Sequence, residues 1–82
     1  MDYPIHSSMQ LSDVLKGLRR KKGLSQGATG QAAGLGQTAI SNFERAPDKA
    51  AFGRVLAIMS AMGLELVVRE VPTPSTLPAG EW

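Results

Sequence analysis

Apolar residues recur at helical spacing near the start of the chain, three or four positions apart on one face. They are Leu11, Val14, Leu15 and Leu18. Ser7 and Gln10 stand before the run, three apart, as in a capping box that begins a helix. Gly23 follows the run and suits the left-handed backbone that ends many helices. The pattern predicts a short arm, residues 1–6, and then a first helix that ends at Gly23.

Residues 24–44 predict two short helices joined by a sharp turn. Gly34 stands where the first of these helices must end, a position that favours a residue able to adopt a positive φ. Gly30 is small enough for a close crossing of the two helices. Ile40 and Phe43, three apart, put apolar side chains on the core face of the second helix. This order of features is that of a helix-turn-helix, whose second helix enters the major groove of DNA.

The opposite face of this second helix carries amides, hydroxyls and one guanidinium, where a solvated face would carry Lys and Glu. Its members are Gln37, Thr38, Ser41, Asn42 and Arg45. Glutamine and asparagine can pair with an adenine edge, and a threonine methyl can touch a thymine methyl. The alternative is an ordinary pair of amphipathic helices in a bundle. The agreement of turn glycine, small crossing residue, apolar pair and polar face favours DNA reading.

Four consecutive cations, residues 19–22, close the first helix. Cations at a carboxyl-terminal helix end complement the helix dipole and need no ligand. The same side chains can also contact DNA phosphates, and Arg19 is counted among the predicted DNA contacts on that ground. Both interpretations stay open. The whole chain is only mildly basic, with a formal net charge of +2.

A further helix is predicted after Pro47, with Asp48 as its cap and Gly63 at its end. Its apolar residues, again three and four apart, are Phe52, Val55, Leu56, Met59 and Met62. The methionines are interpreted as core filler.

Residues 64–71 are rich in β-branched side chains and have the length of a strand, yet no second strand is predicted elsewhere in the chain. A lone strand has unpaired backbone groups and needs a partner. The same strand of a second copy is the economical partner. The predicted dimerisation residues are therefore Leu64, Leu66, Val67 and Val68. The alternative is a short extension of the last helix.

From Pro72 onward the chain is rich in proline and serine, which predicts a flexible tail over residues 72–82, outside the domain of residues 1–71. The tail ends in Trp82, the single tryptophan. One interpretation makes Trp82 an anchor for a pocket on a partner protein. The other is that it folds back on its own domain or makes no contact.

Composition excludes several classes of function. The 82 residues allow one domain with a small core, and chains of this size often dimerise. The absence of cysteine agrees with a reducing, cytoplasmic setting, and no apolar run is long enough to predict a membrane span. The single histidine, His6, has no nucleophile or carboxylate at useful spacing. We therefore expect no enzyme, no cofactor, no metal site and no small-molecule substrate.

Residues along nearly the whole chain resemble the Xre/Cro family of repressors and, within it, the HipB-like antitoxins. The residues that carry the resemblance are Gln10, Leu11, Arg19, Gln26, Gly34, Ile40 to Glu44, Pro47, Asp48, Ile58, Leu64, Glu81 and Trp82. The run Ser41-Asn42-Phe43-Glu44 together with a terminal Glu-Trp is the most specific part. Thr29-Gly30 departs from the usual Leu-Ala of this family, and Ala33 and Gly36 replace larger side chains.

The resemblance implies an all-α, lambda-repressor-like domain of four helices, with a carboxyl-terminal strand exchanged across a homodimer. It also implies a DNA-binding antitoxin that represses its own toxin-antitoxin operon at a palindromic operator. The implied protein partner is a HipA-type serine/threonine kinase toxin, in which Trp82 docks.

By position, the resemblance makes Gln37, Thr38 and Asn42 base readers, with Ala39 close enough for methyl contact. Gln26, Ser41 and Arg45 become mainly contacts to the DNA backbone. Two other functions stay open: a stand-alone repressor without a toxin partner, and a kinase inhibitor whose helix-turn-helix is vestigial. The intact polar face argues against the second, and a kinase gene beside this one would argue against the first.

Overall fold

The computed structural model describes residues 2–72, and within that range every regular element is helical. The α-helices are α1 (Ser8–Lys21), α2 (Gln26–Ala32), α3 (Gln37–Arg45) and α4 (Phe52–Ala61), with a 3₁₀ turn at Pro47–Lys49. The expected all-α fold is confirmed. Among these helices, none has the length and apolar character needed to cross a membrane.

The start of α1 is capped as the sequence predicted, with one difference. Ser7 Oγ accepts a hydrogen bond from the backbone N–H of Gln10 at 3.1 Å. Gln10 Oε1 in turn accepts from the backbone N–H of His6 at 2.7 Å, one residue earlier than in a standard capping box. The two bonds satisfy donors that would otherwise be unpaired at the helix start.

Three of the four described helices, α1, α2 and α4, end in the same two-residue device, which we call the Gly-Leu end. The pairs are Gly23-Leu24, Gly34-Leu35 and Gly63-Leu64. Each glycine has a φ between 71° and 73°. The N–H of each following leucine donates to the carbonyl five residues back, at 2.7 to 3.0 Å, which is the long bond of a Schellman motif. Each leucine then packs against the core, so each helix end is fixed by backbone and side chain together.

The apolar core is assembled from α1, α3, α4 and the residue that ends α4. Its buried members are Leu15, Ile40, Phe43, Val55, Ile58, Met59 and Met62. Ile40 and Phe43 are 1% and 2% exposed, which confirms the predicted core face of α3. Helix α2 contributes no residue to this set; its buried residues are Thr29 and Gly30.

Two expectations for α4 are wrong. Asp48 lies in the 3₁₀ turn and does not cap the helix, because α4 begins after Ala51 without a side-chain cap. Phe52 and Leu56 lie on the predicted apolar face but are 62% and 39% exposed, since the helix buries only Val55, Ile58 and Met59.

Residues 64–72 form neither helix nor strand in the single chain. The alternative of an extended last helix is wrong, because α4 ends at Ala61 and Gly63 turns the chain away. A strand is defined by backbone pairing, which requires a partner segment. The exchange of residues 64–71 between two copies therefore stays a prediction.

The close crossing of α2 and α3 gives a matched test of two glycines in one helix. A Cβ on Gly30 would lie 2.8 Å from the backbone carbon and oxygen of Gly36, whereas a Cβ on Gly27 would meet nothing nearer than 3.9 Å. We expect Gly30→Ala to lower the free energy of unfolding by about 1–3 kcal/mol, because backbone must move. Gly27→Ala should raise it by roughly 0.5–1 kcal/mol through helix propensity. Urea unfolding of both variants checks the contrast, and equal shifts would contradict it.

Thr29 carries a buried hydroxyl without a partner, which gives a second stability test. The residue is 1% exposed, and its Oγ1 has no hydrogen-bond partner among the described residues. Thr29→Val keeps the shape and removes the unpaired group, so we expect about 1 kcal/mol of stabilisation. Thr29→Ser keeps the hydroxyl and loses a methyl, and should destabilise by about 1 kcal/mol. Thermal unfolding that ranks serine above valine would refute this role for the hydroxyl.

Candidate nucleic-acid interface

Helix α3 presents the polar face that the sequence predicted. Its exposed members are Gln37, Thr38, Asn42 and Arg45, and its half-buried members are Ala39 and Ser41. The core residues Ile40 and Phe43 hold the other face in the domain. The structure therefore brings the predicted base readers together on one exposed helix face. Their contact with DNA stays a prediction.

The crossing of α2 and α3 sets the position of this face. Gly30 lies against the backbone of Gly36, so the two helices approach as closely as their main chains allow. The amide oxygen of Gln37 lies 3.9 Å from the point where a Cβ on Gly27 would be. The side chain of the first predicted reader thus sits beside the first turn of α2, in space that Gly27 leaves free.

A carboxylate cluster, formed by Glu44, Arg19 and Gln26, joins α1, α2 and α3, and the side chains of Arg19 and Glu44 in it are only 9% and 7% exposed. Arg19 Nε donates to Glu44 Oε2 at 2.7 Å, and Arg19 Nη2 donates to Glu44 Oε1 at 3.1 Å. Gln26 Nε2 donates to the same Oε1 at 3.0 Å. The third guanidinium nitrogen, Nη1, donates to the carbonyl of Leu24 at 2.8 Å. Two-point pairing of this kind fixes the orientation of both planar groups.

This cluster gives Arg19 a structural role that the sequence analysis did not predict. Arg19 was expected to contact the DNA backbone, but it is 7% exposed and all three of its nitrogens donate to groups of the protein. A signal for this role was present in the spacing. Arg19 stands four positions after Leu15, and Glu44 four positions after Ile40, so both fall on core-facing stripes.

The surroundings of Glu44 set its pKa in two opposing directions. Burial by itself raises the pKa of the carboxyl. Hydrogen bonds from Arg19 and Gln26, together with the positive charges of Arg19 and Lys16, outweigh burial and hold the pKa below its ordinary value of 4.5. The carboxyl is therefore ionised at neutral pH, as its pairing with Arg19 requires.

Arg45 and Asn42 are linked on the exposed face of α3. Arg45 Nη2 donates to Asn42 Oδ1 at 2.7 Å, which leaves both hydrogens of the Asn42 amide free to donate. An adenine edge offers one donor and one acceptor, so an amide that reads it must accept one hydrogen bond and donate another. Because Arg45 already donates to one lone pair of Asn42 Oδ1, the other lone pair would accept from the base. The link holds Asn42 in one orientation before any ligand arrives.

The end of α1 carries three exposed cations. Arg20, Lys21 and Lys22 follow Arg19 at the end of α1 and are exposed. Because Arg19 is paired with Glu44, this end of α1 is joined to the end of α3. Exposed cations are the side chains that contact with DNA phosphates would need.

The remaining predicted site residues lie elsewhere. Leu64 is half-buried, and Leu66, Val67 and Val68 are exposed in the single chain. Trp82 lies outside the described residues. Within residues 2–72, no group of three acidic or histidine side chains is placed to hold a metal ion.

Comparison with known proteins agrees with this geometry. A family described as a helix-turn-helix domain matches residues 10–71, which is most of the chain and includes α2, α3, α4 and all but the first two residues of α1. The chain belongs to this helix-turn-helix family. It is similar to Antitoxin HipB of Escherichia coli K12, with 28% identity over 71 residues that span 87% of this chain and 81% of that protein. Antitoxin HipB of Escherichia coli O6:H1 is also 28% identical, over 87% of this chain and 76% of its own length.

Solved structures give the same likeness in three dimensions. A HipB chain in the HipA-HipB-O2-O3 complex superposes with a TM-score of 0.81 at 28% identity, over 84% of this chain and 97% of that one. The HipB-O4 20mer complex gives a TM-score of 0.80 with the same identity and coverage. The resemblance to HipB-like proteins that the sequence suggested is confirmed.

The pH dependence of stability tests the carboxylate cluster. Since the pKa of Glu44 is lower in the folded chain than its ordinary value of 4.5, the unfolded state binds protons first as the pH falls. The stability that the Arg19–Glu44 pair contributes is therefore fully present at pH values above 4.5. It is lost as the pH falls through the pKa that Glu44 has in the folded chain. We expect Glu44→Gln to be less stable than the unmodified chain at pH 7, by about 3–5 kcal/mol, since Arg19 loses its partner.

The difference in free energy of unfolding between Glu44→Gln and the unmodified chain should shrink steadily as the solution is acidified below the ordinary pKa of a glutamate. Chemical unfolding at a series of pH values measures it. A difference that stays constant down to strongly acidic pH would show that the charge of Glu44 does not stabilise the fold.

Proposed function

We propose that this protein is a sequence-specific DNA-binding antitoxin. As a homodimer it would repress its own toxin-antitoxin operon at a palindromic operator, and it would bind and neutralise a HipA-type kinase toxin. It would act as a binding protein rather than an enzyme, in the bacterial cytoplasm and at the nucleoid. The observation that carries the proposal is the exposed face of α3, rich in amides and hydroxyls, which the carboxylate cluster links to α2.

The character of this face supports base reading over general solvation. Gln37, Thr38 and Asn42 offer amide donors and acceptors and a methyl group, which are the groups that discriminate base edges in the major groove. Gln26, Ser41 and Arg45 flank them and suit contact with the DNA backbone, and Ala39 offers a further methyl. Its relatives are antitoxins by name, and one of them is solved as a HipA-HipB-O2-O3 complex.

The exposed apolar residues of the carboxyl-terminal segment support a dimer. Val67 and Val68 are 67% and 94% exposed, and Leu66 and Val71 are more than half exposed. Beside them lies an open groove of about 420 Å³, lined by the amino-terminal arm, α1, Met59 and most of residues 64–71, without Val68. Apolar surface of this kind is costly to leave in water, and pairing with a second copy would cover it and satisfy the backbone.

For the toxin we propose Trp82 as an anchor. A single large aromatic side chain at the end of a proline-rich segment can fill a preformed pocket, and such anchors carry a large share of binding energy. Deleting residues 75–82 separates this role from DNA binding, because the polar face of α3 is left intact.

Loss of base-reading groups gives a direct test of the DNA function. We expect Gln37→Ala and Asn42→Ala each to weaken binding to the operator by about 1–3 kcal/mol and to leave binding to random duplex nearly unchanged. The reason is that both amides serve base edges. Fluorescence anisotropy at one salt concentration, with operator and scrambled duplexes of equal length, measures both affinities.

Gln31→Ala is the matched control, because Gln31 is an exposed glutamine of the same domain that lies on α2. It should leave both affinities unaltered. Equal losses on operator and scrambled duplex for the α3 variants would mean that the face does not read sequence.

The dimer is tested at Val67. We expect the unmodified protein to sediment as a dimer at micromolar concentration. Val67→Pro removes a backbone donor from the segment and should give monomer, whereas Val67→Thr keeps the donor and the β-branched shape and should stay dimeric. A monomer for the unmodified protein would overturn the strand-exchange proposal.

A further inference from the structure

Helix α2 lacks the apolar anchor that normally fixes a helix in a small domain. Its seven residues include two glycines, and its buried residues are Thr29 and Gly30. The seven core residues all come from outside α2. No large side chain of α2 itself lies in the core, and the apolar packing near the helix comes from Leu24 before it and Leu35 after it.

Polar contacts add to this packing. Ser25 caps its first turn, and its Gly-Leu end fixes its last turn. The hydrogen bonds of both are local to α2 and its flanking residues. Among the described residues, one side-chain hydrogen bond joins α2 to another helix: the bond from Gln26 Nε2 to Glu44 Oε1 at 3.0 Å.

The chemistry of this bond dictates how the Gln26 amide is turned. A carboxylate only accepts hydrogen bonds when ionised, so the amide nitrogen of Gln26 must face it. One amide hydrogen is used by Glu44, and the second has no partner among the described residues. Arg19 keeps the carboxylate itself in place through two further bonds, at 2.7 Å and 3.1 Å.

We propose that Glu44 is a positioning residue for operator binding. Its carboxylate fixes Gln26, and through Gln26 the start of α2, so that the second amide hydrogen of Gln26 is held ready for a DNA phosphate. Glu44 itself lies in the buried cluster and makes no contact with DNA. This inference rests on the proposed function and adds to it a dependence of DNA affinity on a residue behind the binding face.

A double-mutant cycle on DNA affinity tests the proposal. The variants are Gln26→Ala, Glu44→Gln and the two combined, with Gln31→Ala as the control on the same helix. The probe is a duplex from the region upstream of this chain's own gene, compared with a random duplex of equal length. All measurements are made at a temperature at which circular dichroism shows every variant folded.

Each single variant should weaken operator binding about tenfold, as expected for one charge-assisted hydrogen bond. The combined variant should be no weaker than either single one, because both act through the same amide. Gln31→Ala should leave the affinity unchanged. A purely structural effect of Glu44 would instead add to that of Gln26, and additive losses would overturn the proposal.

A measurement on the unmodified protein keeps the proposal falsifiable if Glu44→Gln does not fold. The side-chain amide protons of Gln26 should exchange with solvent more slowly than those of Gln31 and Gln37 in nuclear magnetic resonance spectra. Equal exchange for the three glutamines would overturn the proposal. If the unmodified protein shows no preference for the upstream duplex, the proposed function fails and this inference fails with it. A preference together with additive losses overturns the inference alone.

Discussion

The ionised carboxyl of Glu44 is the point at which α1, α2 and α3 are joined by charge and hydrogen bonding. Arg19 and Gln26 bring three donors to it, and the remaining Arg19 nitrogen binds the turn at Leu24. A buried ion pair adds little net stability over apolar packing. Removing one partner is nevertheless strongly destabilising, because the other charge stays buried without a counter-charge. The cluster therefore acts chiefly as a geometric constraint, since few arrangements of the three helices satisfy all four bonds.

This constraint matters because the domain is divided into two unequal parts. Helices α1, α3 and α4 share an apolar core that includes Phe43 and Ile40, and they form the stable part. Helix α2 is joined to it by a close backbone approach at Gly30, by the flanking Leu24 and Leu35, and by the bond to Glu44. Helix α3 therefore shares the apolar core, whereas α2 depends on contacts at its two ends and at its crossing with α3. Local openings of a small domain begin in such parts.

The sequence predicted what depends on local chemistry. Gly23, Gly34 and Gly63 end helices because no other residue adopts their backbone so readily, and Ile40 and Phe43 face the core because helical spacing requires it. The prediction that Asp48 caps α4 is wrong, because a proline just before an aspartate favours a 3₁₀ turn as readily as a helix cap.

What the sequence did not predict depends on residues far apart in the chain. Arg19 and Glu44 are separated by 25 positions, and a cation at a helix end looks the same in sequence whether it binds phosphate or a buried carboxylate. Phe52 and Leu56 have the spacing of core residues, yet both are exposed. Whether another element covers this part of α4 depends on the whole fold and cannot be inferred from the spacing.

The Gly-Leu ends carry a consequence for stereochemistry. A φ near +72° is strained for an L-residue, but it is the mirror image of ordinary helical backbone and so is natural for a D-residue. Glycine suits these three positions because it is achiral and adopts a positive φ without strain. Its greater conformational entropy in the unfolded chain makes folding more costly there. D-alanine there would keep the same backbone and restrict the unfolded state. Glycine, the one achiral residue that the ribosome incorporates, therefore allows three left-handed positions in a chain of L-residues.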